Sequence, residues 1–505
     1  MLGMNIPGGN LTALSKISTD IIWLFSVQSI SLILPILTLP ALTKAFSPDL
    51  YGAWVQIYVT SGFLAGIIGL YLSAALVRFL PAENDDISRR KLFSAMLWPI
   101  ILFGFLLILG GMIFQYQLAT LIFDSTQYRI LVIPILLSST LDALVGYSMS
   151  YFQAIRDVRK YSICMSINSI AQMIIIVTFA GIGLDIFWLI CCLLLFKTFS
   201  LIIILIIIGI VIDPRFIFGK WGRFFRYSIP LMLGGLLYSV GITSSSYIIV
   251  HLVSLTDVGI YSISATLGNL LSFFIVPLSF IIFPIVVSFW DYNDLAKVRR
   301  YTGYSIEMFL FITIPASVGL CVLSQQLIRI MAGSAYEAGA ILVFLISAGT
   351  IFSGLYSANV GILQMNNQTK WIPFIMLIST MVIIGGNLIL IPFIGITGSA
   401  VAYMLSHLTM ATIVTIWAIK TIHYKINVLF LLKVLLASAV MAFIVYFINI
   451  SLVNINSVIG ILLAVVCGII IYGISVILLK TFSKSDLLLL RQALLGILPG
   501  HRKVT

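Results

Sequence analysis

The stretch CCLLLFKTFSLIIIL (191–205) is apolar on both sides of a single lysine, Lys197. The run around it, about 184–210, is long enough at ~1.5 Å per residue to cross a hydrocarbon layer of ~30 Å. Lys197 then lies roughly 20 Å from either end, farther than a lysine stem can snorkel. An ammonium at that depth costs on the order of 3 kcal/mol or more. A partner or a water-lined gap has to offset that cost. Asp142, in SSTLDALVGY (138–147), falls near the same depth in another apolar segment. A Lys197–Asp142 pair would reduce the cost of both charges.

Outward from this stretch the whole chain looks alike. Of 505 residues, 61% are hydrophobic and 9% are charged, which leaves too little polar surface for a soluble protein. Fourteen apolar helices are predicted. Six run about 19–45, 52–80, 90–114, 128–155, 159–181 and 184–210. Six more run about 228–252, 257–288, 300–324, 338–364, 370–391 and 396–420, and an extra pair about 427–449 and 457–480. Residues 1–212 should therefore form one bundle, 213–227 a basic cytoplasmic linker and 228–424 a second bundle. Residues 425–505 should supply the extra pair and an amphipathic tail along the membrane surface. The first apolar segment lacks a small-residue cleavage site, so it is expected to be a span and not a removable signal.

Charge placement supports this count. With the N-terminus inside and the spans alternating, only Lys44, Arg129 and Arg329 of the 28 lysines and arginines fall outside, while Arg78 and Lys197 lie within spans. All the others fall on inner positions, so both termini should be cytoplasmic. The net charge of +12 thus reads as membrane orientation, with no nucleic-acid partner. Cys164, Cys191, Cys192, Cys321 and Cys467 sit in apolar segments without ligand spacing, so neither metal nor cofactor is expected.

The chain also repeats. FSPDLYGAW (46–54) follows the first span and VSLTDVGIY (253–261) the seventh, matching Ser47 to Ser254 and Gly52 to Gly259. Arg89-Arg90 and Arg299-Arg300 open the third and ninth spans. Gln153 matches Gln364, Arg159 matches Lys370, and Gly181 in GIGLD matches Gly395 in GITGS. The offset is nearly constant and the order is kept, which points to duplication. Six spans per repeat is even, so the halves run in the same direction about an axis along the membrane normal. A cleft between two such bundles suits alternating access. The outer loops are too short for a catalytic domain, and no P-loop is present, so an enzyme is not expected.

The two six-helix repeats with two terminal helices, SPDLYG (47–52), FQAIRDVRKYS (152–162) and the GIGLD/GITGS joints resemble a known family. It is the polysaccharide-biosynthesis branch of the multidrug/oligosaccharidyl-lipid/polysaccharide exporters, nearest the O-antigen repeat-unit flippase (Wzx type). The resemblance implies a V-shaped all-α molecule in the cell membrane. It would move a polyprenyl-diphosphate-linked oligosaccharide from the inner to the outer leaflet, with proton or sodium coupling and glycan-assembly partners. It also implies a cavity lined by spans one, two, seven and eight and their neighbours.

Such a cargo needs cations for its diphosphate and hydrogen-bonding or aromatic groups for its sugars. Lys197 either pairs with Asp142, in which case a pair broken by protonation could couple transport to a proton gradient, or contacts phosphate directly. Arg78, one turn before Pro81, either snorkels or captures phosphate at the inner mouth. Lys44 and His251, at matching outer ends of spans one and seven, are a cationic rim or ordinary interfacial residues. Ser244 and Ser245, within YSVGITSSSY (238–247), are interhelical glue or part of a sugar path. Gln28 with Ser31, and Gln56 with Tyr58, are further substrate-binding candidates. The facing of Asn168, Gln172, Asn269 and Asn359 is left open. Glu307 is a helix-surface ion pair or, with Asp142, an ion-coupling site. Gly62 and Gly66 form a GxxxG packing pattern, and Pro35, Pro40, Pro277 and Pro284 are expected to kink their helices. The rivals are a cation-coupled drug exporter of the same superfamily, which predicts an acidic cavity, and a membrane-embedded glycan enzyme, which predicts large outer loops.

Overall fold

The computed structural model describes residues 11–83, 85–183, 185–209, 221–275, 278, 282–425, 427–451 and 457–481. Within them the chain is helical. The first half holds α1 (Leu11–Ala45), α2 (Pro48–Ile68), α3 (Leu72–Phe79), α4 (Asp86–Ile113), α5 (Gln115–Phe123), α6 (Val132–Ala154), α7 (Val158–Ile182) and α8 (Ile186–Ile208). The second half holds α9 (Trp221–Leu252), α10 (Leu255–Gly268), α11 (Phe283–Asp291), α12 (Leu295–Met331), α13 (Ala340–Met365), α14 (Ile372–Ile394) and α15 (Ile396–Ile422). The extra pair is α16 (Val428–Ser451) and α17 (Ser457–Leu478). Among the described residues thirteen segments are long and apolar enough to span a membrane, and the chain is a multi-pass membrane protein.

The duplication shows in the caps. Ser47 accepts the Leu50 N–H at the start of α2, and Ser254 accepts the Asp257 N–H at the start of α10. Each such cap stabilises its helix by roughly 1 kcal/mol. The turns after α6 and α13 both pass through the left-handed region, at Arg156 (φ 58°) and Asn367 (φ 55°). A backbone hydrogen bond closes each turn, Asp157 N–H to the Phe152 carbonyl at 2.9 Å and Gln368 N–H to the Leu363 carbonyl at 2.8 Å.

The second span of each half is broken, which sequence periodicity does not reveal. Leu70 (φ 48°) and Tyr71 (φ 52°) separate α2 from α3. Two successive left-handed non-glycine residues cost on the order of 1 kcal/mol each, so surrounding packing must hold them. Leu70 is buried, and the Tyr71 ring occupies the space a side chain at Gly235 on α9 would need. In the second half α10 stops at Gly268, a 3-10 turn covers Asn269–Phe274, and α11 resumes at Phe283. The predicted continuous span of 257–288 is therefore three described pieces.

Other expectations need correction. The first helix starts at Leu11, and α9 starts at Trp221, inside the predicted 213–227 linker. The remainder of that linker, Pro277 and the amphipathic tail lie outside the described residues. Pro284 opens α11 and does not kink it, since its missing N–H is an orphan at that position anyway. Nothing packs against Gly62 or Gly66, so their GxxxG pattern makes no helix contact. The close approach is at Gly52 instead, where a Cβ would overlap the Leu255 carbonyl.

That approach is where the halves meet. Gly259 sits against Tyr51 and Gly52 in turn, and Thr256 donates to the Asp49 carboxylate. Nearby, Thr43 at the end of α1 donates to the Met331 carbonyl on α12 at 3.1 Å. Along α2, α3 and α9 the seam continues through a Thr60–Tyr247 hydroxyl bond of 2.7 Å and the Tyr71–Gly235 contact. It ends in Phe79 packed on Phe224 and Tyr227.

Candidate functional site

A cleft bordered by α1, α2, α7 and α10 lies beside this seam. One cavity of about 310 Å3 is lined by Ser31, Trp54, Tyr58, Gln172, Ser262 and Thr266 among others. A second, of about 300 Å3, shares Trp54, Tyr58, Gln172 and Ile176 with it and reaches Ser61, Asp142 and Lys197. The shared residues place the two side by side on one wall. Tyr51, Trp54 and Tyr58 recur at helical spacing on α2 and point to one side. Tyr58 is 71% exposed although it lies in mid-span. A phenol there offers a flat apolar face and a hydroxyl, both useful against a sugar ring.

The charges sit at the far wall. Lys197 Nζ donates to Asp142 Oδ2 at 2.8 Å and to Ser138 Oγ at 2.6 Å. Ser61 Oγ donates to the same carboxylate oxygen at 3.2 Å. The Lys197 side chain is 10% exposed and the Asp142 side chain 33%. The lysine is thus held within the first half, between α6 and α8, while its partner looks into the cavity. The pair is neutral overall, so the cavity wall has no uncompensated carboxylate at this point.

The second half carries a histidine at the corresponding place. His407 lies as far into α15, from Ile396, as Lys197 lies into α8, from Ile186. Its ring stacks on Tyr403 with centroids 4.2 Å apart. Tyr403 donates to Asn269 Oδ1 at 3.2 Å, and Thr350 donates to the same atom at 2.9 Å. His407 is buried and lines neither cavity. A polar patch thus lies at the same helical position in each half, and the one that contains Lys197 and Asp142 reaches a cavity.

The other predicted site residues separate. Gln56 is fully buried, and its Nε2 donates to the Ile122 carbonyl at 2.7 Å, so it faces α5 and the bundle interior, not the cleft. Its neighbour two positions on, Tyr58, takes the cavity face. Ser245 is buried and accepts from Asn387 Nδ2 at 2.9 Å, joining α9 to α14. Ser244 donates to the Gly241 carbonyl of its own helix at 2.7 Å. Both serines have the interhelical or local role. Gln28 is exposed on α1 but lines neither cavity. Lys44 and His251 are exposed at the ends of α1 and α9, with His251 Nδ1 turned back onto the Tyr247 carbonyl. Glu307 is half-buried on α12 and outside the cavity lining. Arg78 is exposed at the end of α3, against Tyr227.

Trp54, Ser61, Ser138 and Ser169 are cavity residues that sequence reading did not single out. The spacing of Tyr51, Trp54 and Tyr58 carried the signal for Trp54. Nothing local distinguishes the serines from the many others that donate to their own helix.

Known proteins resemble this chain in sequence and in fold. The family described as polysaccharide biosynthesis protein matches residues 17–290, more than half of the chain. Probable flippase AglR of Haloferax volcanii is 25% identical over 406 residues, covering 73% of this chain and 79% of that protein. Probable low-salt glycan biosynthesis flippase Agl15 of the same organism is 24% identical over 247 residues, 49% of this chain and 52% of that one. Among solved structures, the lipid II flippase MurJ in an inward closed conformation superposes with a TM-score of 0.74 at 19% identity, covering 90% of this chain and 99% of that one. An inward-facing multidrug resistance MATE family transporter of the MOP superfamily gives 0.65 at 11% identity, over 78% and 94%.

Proposed function

The chain belongs to the polysaccharide biosynthesis protein family, and from that premise we propose that it flips a polyprenyl-diphosphate-linked oligosaccharide from the inner to the outer leaflet of the cell membrane by alternating access. The observation that carries this reading is the cleft beside the seam of the two halves, with an exposed Tyr58, Trp54, Gln172 and several hydroxyls. A glycan crossing hydrocarbon must exchange its water for such partners, because each unsatisfied hydroxyl in an apolar medium costs roughly 2 kcal/mol or more. The relative named as a low-salt glycan biosynthesis flippase supports the same cargo class, and the other is named as a probable flippase.

Three features support the mechanism. The halves touch at Gly52–Leu255 and Thr43–Met331, so in this state the cleft is closed toward that end. The positive-inside pattern of the sequence makes that the outer end. Tyr58 and Trp54 would hold sugar rings, and the lipid tail would stay in the bilayer. Asp142, which looks into the cleft while bound to Lys197, is the group placed to sense a proton. Protonation would release the lysine and loosen α6 from α8. Glu307, away from the cleft, supports no such role.

A drug-exporter reading needs a free carboxylate in the cavity, and the Asp142 carboxylate is engaged by Lys197 and Ser61. The test is deletion in the native host. Glycan-linked lipid accumulating on the inner leaflet is the expected outcome. Unchanged glycan export together with altered efflux of cationic dyes would overturn the proposal.

A further inference from the structure

Two arginines cross the seam in opposite directions at the basic end of the molecule. Arg78, on α3 of the first half, lies over the Tyr227 ring of α9 at 4.6 Å. Arg223, on α9 of the second half, lies over the Phe79 ring of α3 at 4.7 Å. Phe79 and Tyr227 themselves meet edge to face, 5.7 Å apart. Arg223 and Arg226 line one recess of about 420 Å3 with Gly222 and Tyr227. All three arginines are exposed, and among the described residues no carboxylate forms an ion pair with any of them.

We propose that Arg78, Arg223 and Arg226 form a diphosphate-binding cradle at the mouth of the seam, built from both halves and separate from the Tyr58 cleft. The proposal rests on the flippase reading above and assigns the charged part of its cargo. A ring face fixes a guanidinium by its flat side and leaves the N–H edges free to fork onto phosphate oxygens. Snorkelling alone does not account for the arrangement. A snorkelling arginine points its head to water with its rotamers free, whereas here two heads lie over rings of the opposite half. The Tyr58 cleft, with its single compensated cation, supplies neutral partners for sugars. The arginines supply the charge that the cleft lacks. A diphosphate held by Arg78 and Arg223 together would also tie α3 to α9, so its arrival and departure would act on the seam that must open during transport.

The experiment is titration calorimetry on the full chain in neutral maltoside micelles, with farnesyl diphosphate as ligand and inorganic pyrophosphate or phosphatidylglycerol as competitor. The parent should bind farnesyl diphosphate, pyrophosphate should compete, and phosphatidylglycerol should compete at least tenfold less well. R78Q and R226Q should each weaken binding about fivefold or more, and R78K should fall between R78Q and the parent because it keeps the charge and loses the fork. If R78Q fails to fold, R226Q carries the test, since Arg226 makes no ring contact across the seam among those described. Unchanged affinity in R226Q and R78K would overturn the cradle and leave the flippase reading standing. Equal competition by phosphatidylglycerol would do the same, identifying a general headgroup contact. A parent that binds no farnesyl diphosphate would overturn both.

Discussion

Lys197 and Asp142 form an ion pair of 2.8 Å in mid-span, and the two partners are unequally buried. The lysine is sealed between helices and the aspartate borders the cleft. Removing one partner of a buried pair typically costs about 3–5 kcal/mol because it strands the other charge. Here the cost should depend on which charge is stranded. D142A leaves a buried ammonium with only Ser138 and should lose about 3 kcal/mol. K197M leaves a carboxylate that water in the cleft can reach and should lose clearly less. The D142L/K197M double variant should recover most of the stability. Unfolding midpoints in detergent measure all three. A larger loss for K197M than for D142A would mean the aspartate is the sealed partner.

Gly52 and Tyr51 set how closely α2 and α10 cross. A Cβ at position 52 would run into backbone, the Leu255 carbonyl, whereas at Gly259 the nearest neighbour is the Tyr51 ring at 3.0 Å. G52A should therefore push the halves apart at this end and G259A should be tolerated better. Cross-linking between cysteines placed at Asp49 and Thr256 reports the separation. We expect its yield to drop severalfold in G52A and to change little in G259A.

Tyr58 and Gln56 are two residues apart and should answer opposite assays. Y58A removes an exposed side chain, so it should fold normally and lose at least tenfold in glycan-lipid transport. Q56A removes a buried donor from the Ile122 carbonyl and should cost about 1–3 kcal/mol, with transport falling only as folded protein falls. Comparing transport per folded molecule with thermal stability separates the two. A Q56A protein of normal stability and no transport would return Gln56 to the cleft.

Asp85 caps α4 outside the spans. The Ser88 backbone N–H holds its carboxyl below the usual aspartate range. A depressed folded-state pKa contributes stability that is fully present above the unfolded value and disappears as pH falls through the folded one. Protection of the first turn of α4 should thus decline below about pH 4. Asparagine caps equally well without titrating, so D85N should keep the cap at neutral pH and abolish the acid decline. Hydrogen exchange of residues 88–92, corrected for intrinsic rates, measures this. An unchanged acid decline in D85N would assign it to another group.

What the chain determines by itself is what depends on local chemistry and on the bilayer. Apolar length, the placement of Lys and Arg and the Ser47/Ser254 caps follow from covalent order. They give the spans, the duplication and the parallel halves. The Lys197–Asp142 pair was also legible, because two opposite charges stranded at one depth have few other partners. Tertiary packing decided the rest. Whether Gln56 or Tyr58 meets the cleft turns on a rotation of α2 set by its neighbours, and hydropathy in a lipid-facing helix leaves that rotation open. The breaks fall just after Gly69 and Gly268, but glycines recur along these spans and do not by themselves mark a break. They are held by contacts between residues far apart in the chain, Tyr71 against Gly235 at the first and Thr350 and Tyr403 on Asn269 at the second. The crossed arginines are of the same kind. Arg78 stands out in the sequence as a phosphate candidate, but Arg223 reads as an ordinary basic residue until α3 and α9 bring each over the other's aromatic neighbour.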